Sequence, residues 1–215
     1  GAVEVVVDRG AAAAGERIYG REVKVLSLGI DTHIFHPRKG EPSAGFRVVG
    51  AGRLYANKRP ELFVELARLC PSAEFVWFGD GELKESLISR KKMEGAANLT
   101  FAGAVSSERL ADEMRKSHLF VLPSRSEGAP KVLQEAAGCG LPTIAFGNYE
   151  SPAIEDGRTG YVVWNEAQLI DRVMECIRNP ASTRRMGEAA ALVAQRWDWD
   201  LLAPQWEEEI LRWTS

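Results

Sequence analysis

The stretch from Leu119 to Gly140 constrains the chain more than any other. Leu119-Phe120-Val121-Leu122 is an unbroken apolar run of strand length. Pro123 to Ala129 interrupts it with Pro, Ser, Gly and Ala, the composition of a strand-to-helix loop. Pro130 suits a first helical position, where its missing N–H has no partner to lose. Val132 with Ala136, and Leu133 with Ala137, then give an apolar face at helical spacing. Gly138 or Gly140 can close that helix in a left-handed cap, and Pro142 stops it.

The same alternation runs through most of the chain. Strands are expected over Val3–Val7, Val23–Leu28, Arg47–Ala51, Ala73–Phe78, Leu99–Ala102, Pro142–Phe146 and Tyr161–Val163. Helices are expected over Ala11–Tyr19, Pro60–Leu69, Glu82–Lys92, Ser107–Lys116, Ala167–Ile177, Ala181–Arg196 and Leu201–Trp213. The fold class is therefore α/β, a Rossmann-like three-layer arrangement with a parallel sheet covered on both faces. In such sheets a ligand lies beyond the carboxyl ends of the strands. Every candidate site residue falls in or just after a loop that follows a strand.

Composition removes several classes of function. A net charge of -3 over 215 residues gives no electrostatic footprint for nucleic acid. No apolar run approaches the roughly 20 residues needed to span a bilayer. Cys70, Cys139 and Cys176 are far apart and lack zinc-like spacing, so they read as reduced, mostly buried thiols of a cytoplasmic protein. Peripheral contact with the inner membrane face remains compatible with this. His33 and His36 have no third ligand nearby and read as linker residues. Ser124 and Ser126 lack a Gly-x-Ser-x-Gly elbow, which argues against a hydrolase.

Two carboxylates flank the expected helix start, Glu127 before it and Glu135 inside it. Helical side chains lean toward the amino end, so Glu135 covers the turn carrying Lys131 and Val132. The amides of Gly128, Ala129, Lys131 and Val132 form a positive end suited to an anion. An acid standing beside that anion can accept hydrogen bonds from sugar hydroxyls. The plainer reading is a helix start with acids favoured near its positive end. After the first long strand, Gly50-Ala51-Gly52-Arg53-Leu54-Tyr55-Ala56-Asn57-Lys58 offers close backbone approach and two cations suited to phosphate, Arg53 and Lys58. Phe101-Ala102-Gly103-Ala104-Val105 could admit a flat base or be a plain turn. Gly79-Asp80-Gly81 reads as a turn.

The segment Ser126-Glu127-Gly128-Ala129-Pro130-Lys131, continuing to Glu135-Ala136 and Gly140-Leu141-Pro142, resembles the signature of retaining glycosyltransferases of family 4. The resemblance covers about residues 24–212 and implies the C-terminal half of a GT-B fold. Gly29 to Pro37 is similar to that family's interdomain hinge. On this basis residues 1–37 would be the tail of an acceptor-binding N-terminal domain plus the hinge. Residues 38–198 would be the nucleotide-sugar-binding domain, and 199–215 a helix that either crosses back or packs on its own domain.

The resemblance implies hexosyl transfer from a nucleoside-diphosphate sugar to an acceptor hydroxyl. Glu135 would hold the ribose diol, Glu127 the donor-sugar hydroxyls, and Arg53 and Lys58 the leaving diphosphate. Val105 would meet the base through its main chain, and Gly128, Ala129, Lys131 and Val132 would face the distal phosphate and sugar. Glu127, Arg53 and Lys58 are the expected catalytic set, with no metal and no cofactor beyond the UDP- or GDP-sugar substrate. A sugar or lipid-linked acceptor would be reached through the N-terminal domain, without which the chain would bind donor but not turn over. The same half-fold also serves sugar-nucleotide epimerases, phosphorylases and non-catalytic scaffolds. One departure is visible: Ala153, in Ser151-Pro152-Ala153-Ile154, stands where the family usually has Glu, which bears on donor choice.

Overall fold

The computed structural model describes residues 5–6, 9–20, 23–38, 40 and 45–214. Of the strand expected over Val3–Val7, residues 3–4 and 7 lie outside the described residues. So do residues 39 and 41–44 of the linker that follows the hinge-like segment.

In chain order the elements are β1 (Val5–Val6), α1 (Arg9–Tyr19), β2 (Lys24–Val25), β3 (Arg47–Ala51), α2 (Glu61–Leu69), β4 (Glu74–Phe78), α3 (Lys84–Met93), β5 (Leu99–Gly103), α4 (Ser107–Arg115), β6 (Leu119–Leu122), α5 (Lys131–Gly138), β7 (Thr143–Phe146), β8 (Gly160–Val163), α6 (Glu166–Arg178), α7 (Pro180–Ala194) and α8 (Trp199–Thr214). β1 and β2 pair in parallel as a small separate ribbon. The other strands form one parallel sheet in the order β5-β4-β3-β6-β7-β8. Their apolar runs are what a sheet buried on both faces requires: β6 and β7 are buried at every position. Residues of α2, α3 and α6 pack on one face around Phe63, Phe75 and Trp77. Residues of α4, α5 and α7 pack on the other, around Phe120, Leu122 and Leu133.

The sheet order places the site. From β3 the chain moves outward through β4 to β5, then returns to the other side of β3 with β6 and moves outward again. The loops after β3 and β6 therefore diverge to opposite faces and leave a crevice between them, the usual ligand position in an open α/β sheet.

Several boundaries differ from the sequence expectation by one or two residues, and β2 is shorter than expected, Lys24–Val25 rather than Val23–Leu28; two of the differences have local reasons. α3 starts at Lys84 rather than Glu82, because the Gly79-Asp80-Gly81 turn continues to Leu83, whose N–H is held by the Leu54 carbonyl at 3.1 Å. α7 gives way at Ala194 to a tighter turn over Gln195–Trp197. The left-handed cap of α5 falls on Gly140 (φ 79°), with Leu141 N–H donating to Ala136 O at 3.0 Å.

The segment before the sheet is tied to the chain's end. Ile30 N–H donates to Trp197 O at 2.7 Å, and Thr32 Oγ1 donates to Asp198 at 2.6 Å. Further along α8, Trp206 Nε1 donates to Ser27 O at 3.0 Å, and Glu209 pairs with Lys24.

Just before the amino end of β6, His118 Nδ1 accepts from Arg47 N–H at 3.1 Å, and its ring stacks on Phe46. Burial, with the nearby Arg38 charge, pulls its pKa from 6.5 to about 4. The unfolded chain then binds a proton near pH 6.5 that the native state refuses until about pH 4, so stability falls as pH drops through that window. His118→Gln should flatten this slope in urea titrations between those two pH values.

Candidate active site: a cleft at the strand-order reversal

Beyond the carboxyl ends of β3, β4, β5 and β6 lies a cleft of about 740 Å³. Its walls include Arg53, Tyr55, Lys58, Asp80, Val105 and Glu127. Ala129, Lys131 and Val132 at the start of α5 close one side. Seven of the nine residues singled out in the sequence therefore line one cavity: Arg53, Lys58, Val105, Glu127, Ala129, Lys131 and Val132.

The cleft is held by cross-links between loops. Gly52 N–H donates to Phe78 O at 2.9 Å, and its carbonyl accepts from the Trp77 indole N–H at 2.9 Å. Leu54 N–H donates to Asp80 O at 3.0 Å, and Gly79 N–H donates to Gly103 O at 2.8 Å. On the other side the turn Ala56–Lys58 reaches the loop after β6. Asn57 Nδ2 donates to Ser126 O, and Arg125 N–H donates to Asn57 O, both at 2.8 Å.

The charges are arranged unevenly. Lys58 Nζ lies 2.5 Å from Glu127 Oε1, both side chains being largely buried. Lysine carries three N–H donors, so this bond leaves two to face a second anion. The Arg53 guanidinium lies over the Tyr55 ring, 5.0 Å from its centroid, and has no carboxylate partner among the described residues. Asp80 is held below the usual carboxylate range by its hydrogen bond with Lys84, at 2.6 Å, and by the Gly81 amide.

Glu135, one turn into α5, is not among the residues that line the cleft, but its neighbour Lys131 is. The Glu135 side chain is 15% exposed and lies 3.7 Å from Lys131 Nζ. Burial pushes its pKa up, against the opposing charge and hydrogen bond of Lys131. Gly128 lines a smaller neighbouring cavity with Ser27, Leu28, Glu150 and Ala153, and this cavity shares Ala129 and Pro130 with the cleft. That cavity borders the departure at Ala153.

The helix start corrects two expectations. Pro130 stands one residue before the helix, because its ψ of 79° is not helical. The resulting tight turn lets Lys131 N–H donate to Ala129 O at 2.8 Å. The Lys131 amide is therefore not among the free donors at this helix end. Leu110 also lines the cleft without any sequence motif to announce it, and Tyr55 does so from within the Gly50–Lys58 loop, where the sequence singles out only Arg53 and Lys58.

The matching family description is "Glycosyl transferases group 1", and it covers residues 31–193. The chain belongs to this family. Among curated relatives, this group 1 chain is 28% identical over 196 residues to sulfoquinovosyl transferase SQD2 of Arabidopsis thaliana, covering 83% of the chain and 38% of the relative. It is 34% identical over 198 residues to D-inositol 3-phosphate glycosyltransferase of Arthrobacter sp. strain FB24, covering 83% and 46%. The group 1 chain thus spans less than half the length of these relatives.

Among solved structures, Anabaena Alr3699/HepE in complex with UDP superposes with a TM-score of 0.87 at 19% identity, over 98% of the chain and 64% of that protein. The C-terminal domain of the glycosyl transferase group 1 protein LpcC from Francisella tularensis superposes at 0.69 and 19% identity, over 78% of the chain and 97% of that domain. The fold of this group 1 chain is the C-terminal half of GT-B. Its homologues are enzymes that transfer glycosyl groups. Among the described residues no helix is long and apolar enough to cross a membrane.

Proposed function

We propose that this chain is the donor-binding half of a retaining glycosyltransferase that moves a hexose from a nucleoside diphosphate to an acceptor hydroxyl. One observation carries the reading: Arg53, Lys58, Glu127 and the start of α5 converge on one cleft at the strand-order reversal. The names of the relatives, and the UDP held by the similar Anabaena structure, support this choice of ligand.

In this reading Arg53 and Lys58 grip the diphosphate and stabilise the charge that builds on it as the sugar departs. Such preorganised electrostatics is usually the largest catalytic contribution. Lys58 bridges the phosphate to Glu127, which reads the donor-sugar hydroxyls, while Gly128, Ala129 and Val132 approach the distal phosphate and sugar through their main chain. Lys131 contributes through its side chain, which steadies Glu135, and Glu135 receives the ribose diol. Val105 meets the base, with Gly79 and Leu110 beside it. No metal enters the scheme, because the two side chains and the helix end supply the positive charge; EDTA should leave nucleotide affinity unchanged.

Residues 1–37 are read as the end of an acceptor-binding domain and its hinge, residues 38–198 as the donor domain, and residues 199–215 as a helix returning to the first domain. The contacts of Trp206 with Ser27 and of Glu209 with Lys24 support the last assignment. The acceptor, a sugar or a lipid-linked sugar, would meet the other domain, with peripheral membrane contact for a lipid-linked one. The chain alone binds donor without completing transfer, and the cytoplasm is its expected setting.

Crystals soaked with UDP-sugars and GDP-sugars test the reading. Diphosphate density between Arg53 and the start of α5 is expected, and a nucleotide bound anywhere else would contradict it. A second expectation concerns Glu127. Glu127→Gln should keep affinity for the bare nucleoside diphosphate within a few fold while abolishing the preference for its sugar conjugate, measured by competition binding.

A further inference from the structure

A second cleft, of about 570 Å³, opens beyond the ends of β7 and β8, with Arg59, Arg125, Phe146, Asn148, Trp164 and Glu166 in its walls. It shares no lining residue with the donor cleft. The loop after β6 divides the two. Glu127 lines the donor cleft, whereas Arg125, two residues earlier, lines the second. Lys58 and Arg59 part in the same way. Arg59 is the single non-glycine with a left-handed backbone among the described residues (φ 51°, ψ 46°), and its guanidinium lies over Phe146 at 5.2 Å. A bulky residue held in that conformation costs about 1–2 kcal/mol, and such strain concentrates at functional sites. The dividing loop is braced from both sides, by Asn57 on Ser126 O and by Asn148 on Arg125 O.

Trp164 is the most informative member of the wall. Its side chain belongs to a residue 69% exposed. Yet the indole is backed by the main chain, since a β-carbon on Gly147 would come within 2.6 Å of its Cη2. The backbone N–H of Trp164 donates to Gln168 Oε1 at 2.8 Å, which fixes the residue just before the start of α6. A fixed aromatic face open to solvent, ringed by hydrogen-bonding groups, is a surface for the apolar face of a sugar ring.

The charge balance selects among polar ligands. Arg59 pairs with Glu166 and lies 3.9 Å from Glu61, so its charge is offset. The amino end of α6 is already capped by Asn165, which accepts from Gln168 N–H at 2.9 Å, and carries Glu166 in its first turn. A phosphate would meet that carboxylate. Arg125, whose side chain makes no hydrogen bond or ion pair among the described residues, instead offers a donor fork to hydroxyls, and Glu166 an acceptor.

We infer that this second cleft is a binding site for a neutral saccharide chain, with a sugar ring stacked on Trp164 and hydroxyls held by Arg125 and Glu166. Its binding does not depend on the donor cleft. That the bound chain borders the donor's sugar end does rest on the reading proposed above.

The test is a titration of the chain with neutral tri- to pentasaccharides of glucose, galactose and mannose, and with inorganic phosphate. It follows the indole N–H resonance of Trp164 in ¹⁵N NMR spectra, assigned by its loss in Trp164→Phe. Saturable shifts with at least one oligosaccharide at millimolar concentration, and none with phosphate, are expected. Trp164→Ala should weaken that binding about tenfold or more and Arg125→Ala several-fold, while UDP or GDP affinity stays unchanged. No shift with any oligosaccharide, a larger response to phosphate, or undiminished binding in Trp164→Ala would overturn the inference. A chain that binds no nucleotide yet shows these shifts would sink the donor reading and leave this site standing.

Discussion

Arg53→Ala is expected to weaken binding of the nucleoside diphosphate about tenfold or more. The guanidinium is the cleft cation with no carboxylate partner among the described residues, so its charge is available to phosphate, whereas Lys58 is shared with Glu127. A hydrogen bond to a charged group contributes about 1.5–3 kcal/mol, and each 1.4 kcal/mol is a factor of about ten in affinity. Arg53→Lys should recover only part of the loss, because an ammonium cannot reproduce a planar fork or lie flat on Tyr55. The folded state should be little affected, so thermal unfolding without nucleotide should match the parent. Equal losses from Tyr55→Ala and Arg53→Ala would mean that the ring places the guanidinium; a negligible loss from Tyr55→Ala would mean that it does not.

Gly79→Ala is expected to damage fold and site together. Gly79 holds φ 135°, and a β-carbon there would come within 2.1 Å of the Gly52 carbonyl oxygen. That oxygen cannot retreat freely, because the Trp77 indole holds it from the core side at 2.9 Å. Backbone strain at a disallowed φ and overpacking each cost about 1–3 kcal/mol, so a loss of about 2–5 kcal/mol in urea unfolding is expected. Nucleotide affinity should fall as well, since Gly52 lines the cleft and leads directly into Arg53. Full parental stability in this variant would show that the loops after β3 and β4 are not locked as described.

What could be read from the sequence follows from how local the determining physics is. The apolar runs of β3, β6 and β7, the spacing of Val132, Leu133, Ala136 and Ala137, and the cap at Gly140 are set by neighbours in the chain, and they appear where expected. The convergence of Arg53 and Lys58 with Glu127 needed the sheet order as well, and the loop motifs supplied it through family resemblance. The turn at Pro130 was not legible, because a ψ of 79° rather than a helical value is settled by how the loop docks. That one dihedral removes the Lys131 amide from the donors. Nor could the sequence show Asn57 reaching Ser126, or Trp164 seated on Gly147, since each joins loops that are distant in the chain.

Calorimetric titration of this chain with UDP and with GDP tests the central claim most directly. The account predicts saturable binding of at least one of them at a single site, markedly weakened by Arg53→Ala and by Glu135→Ala. No heat with any nucleoside diphosphate at millimolar concentration, or affinity unaltered in both variants, would contradict it.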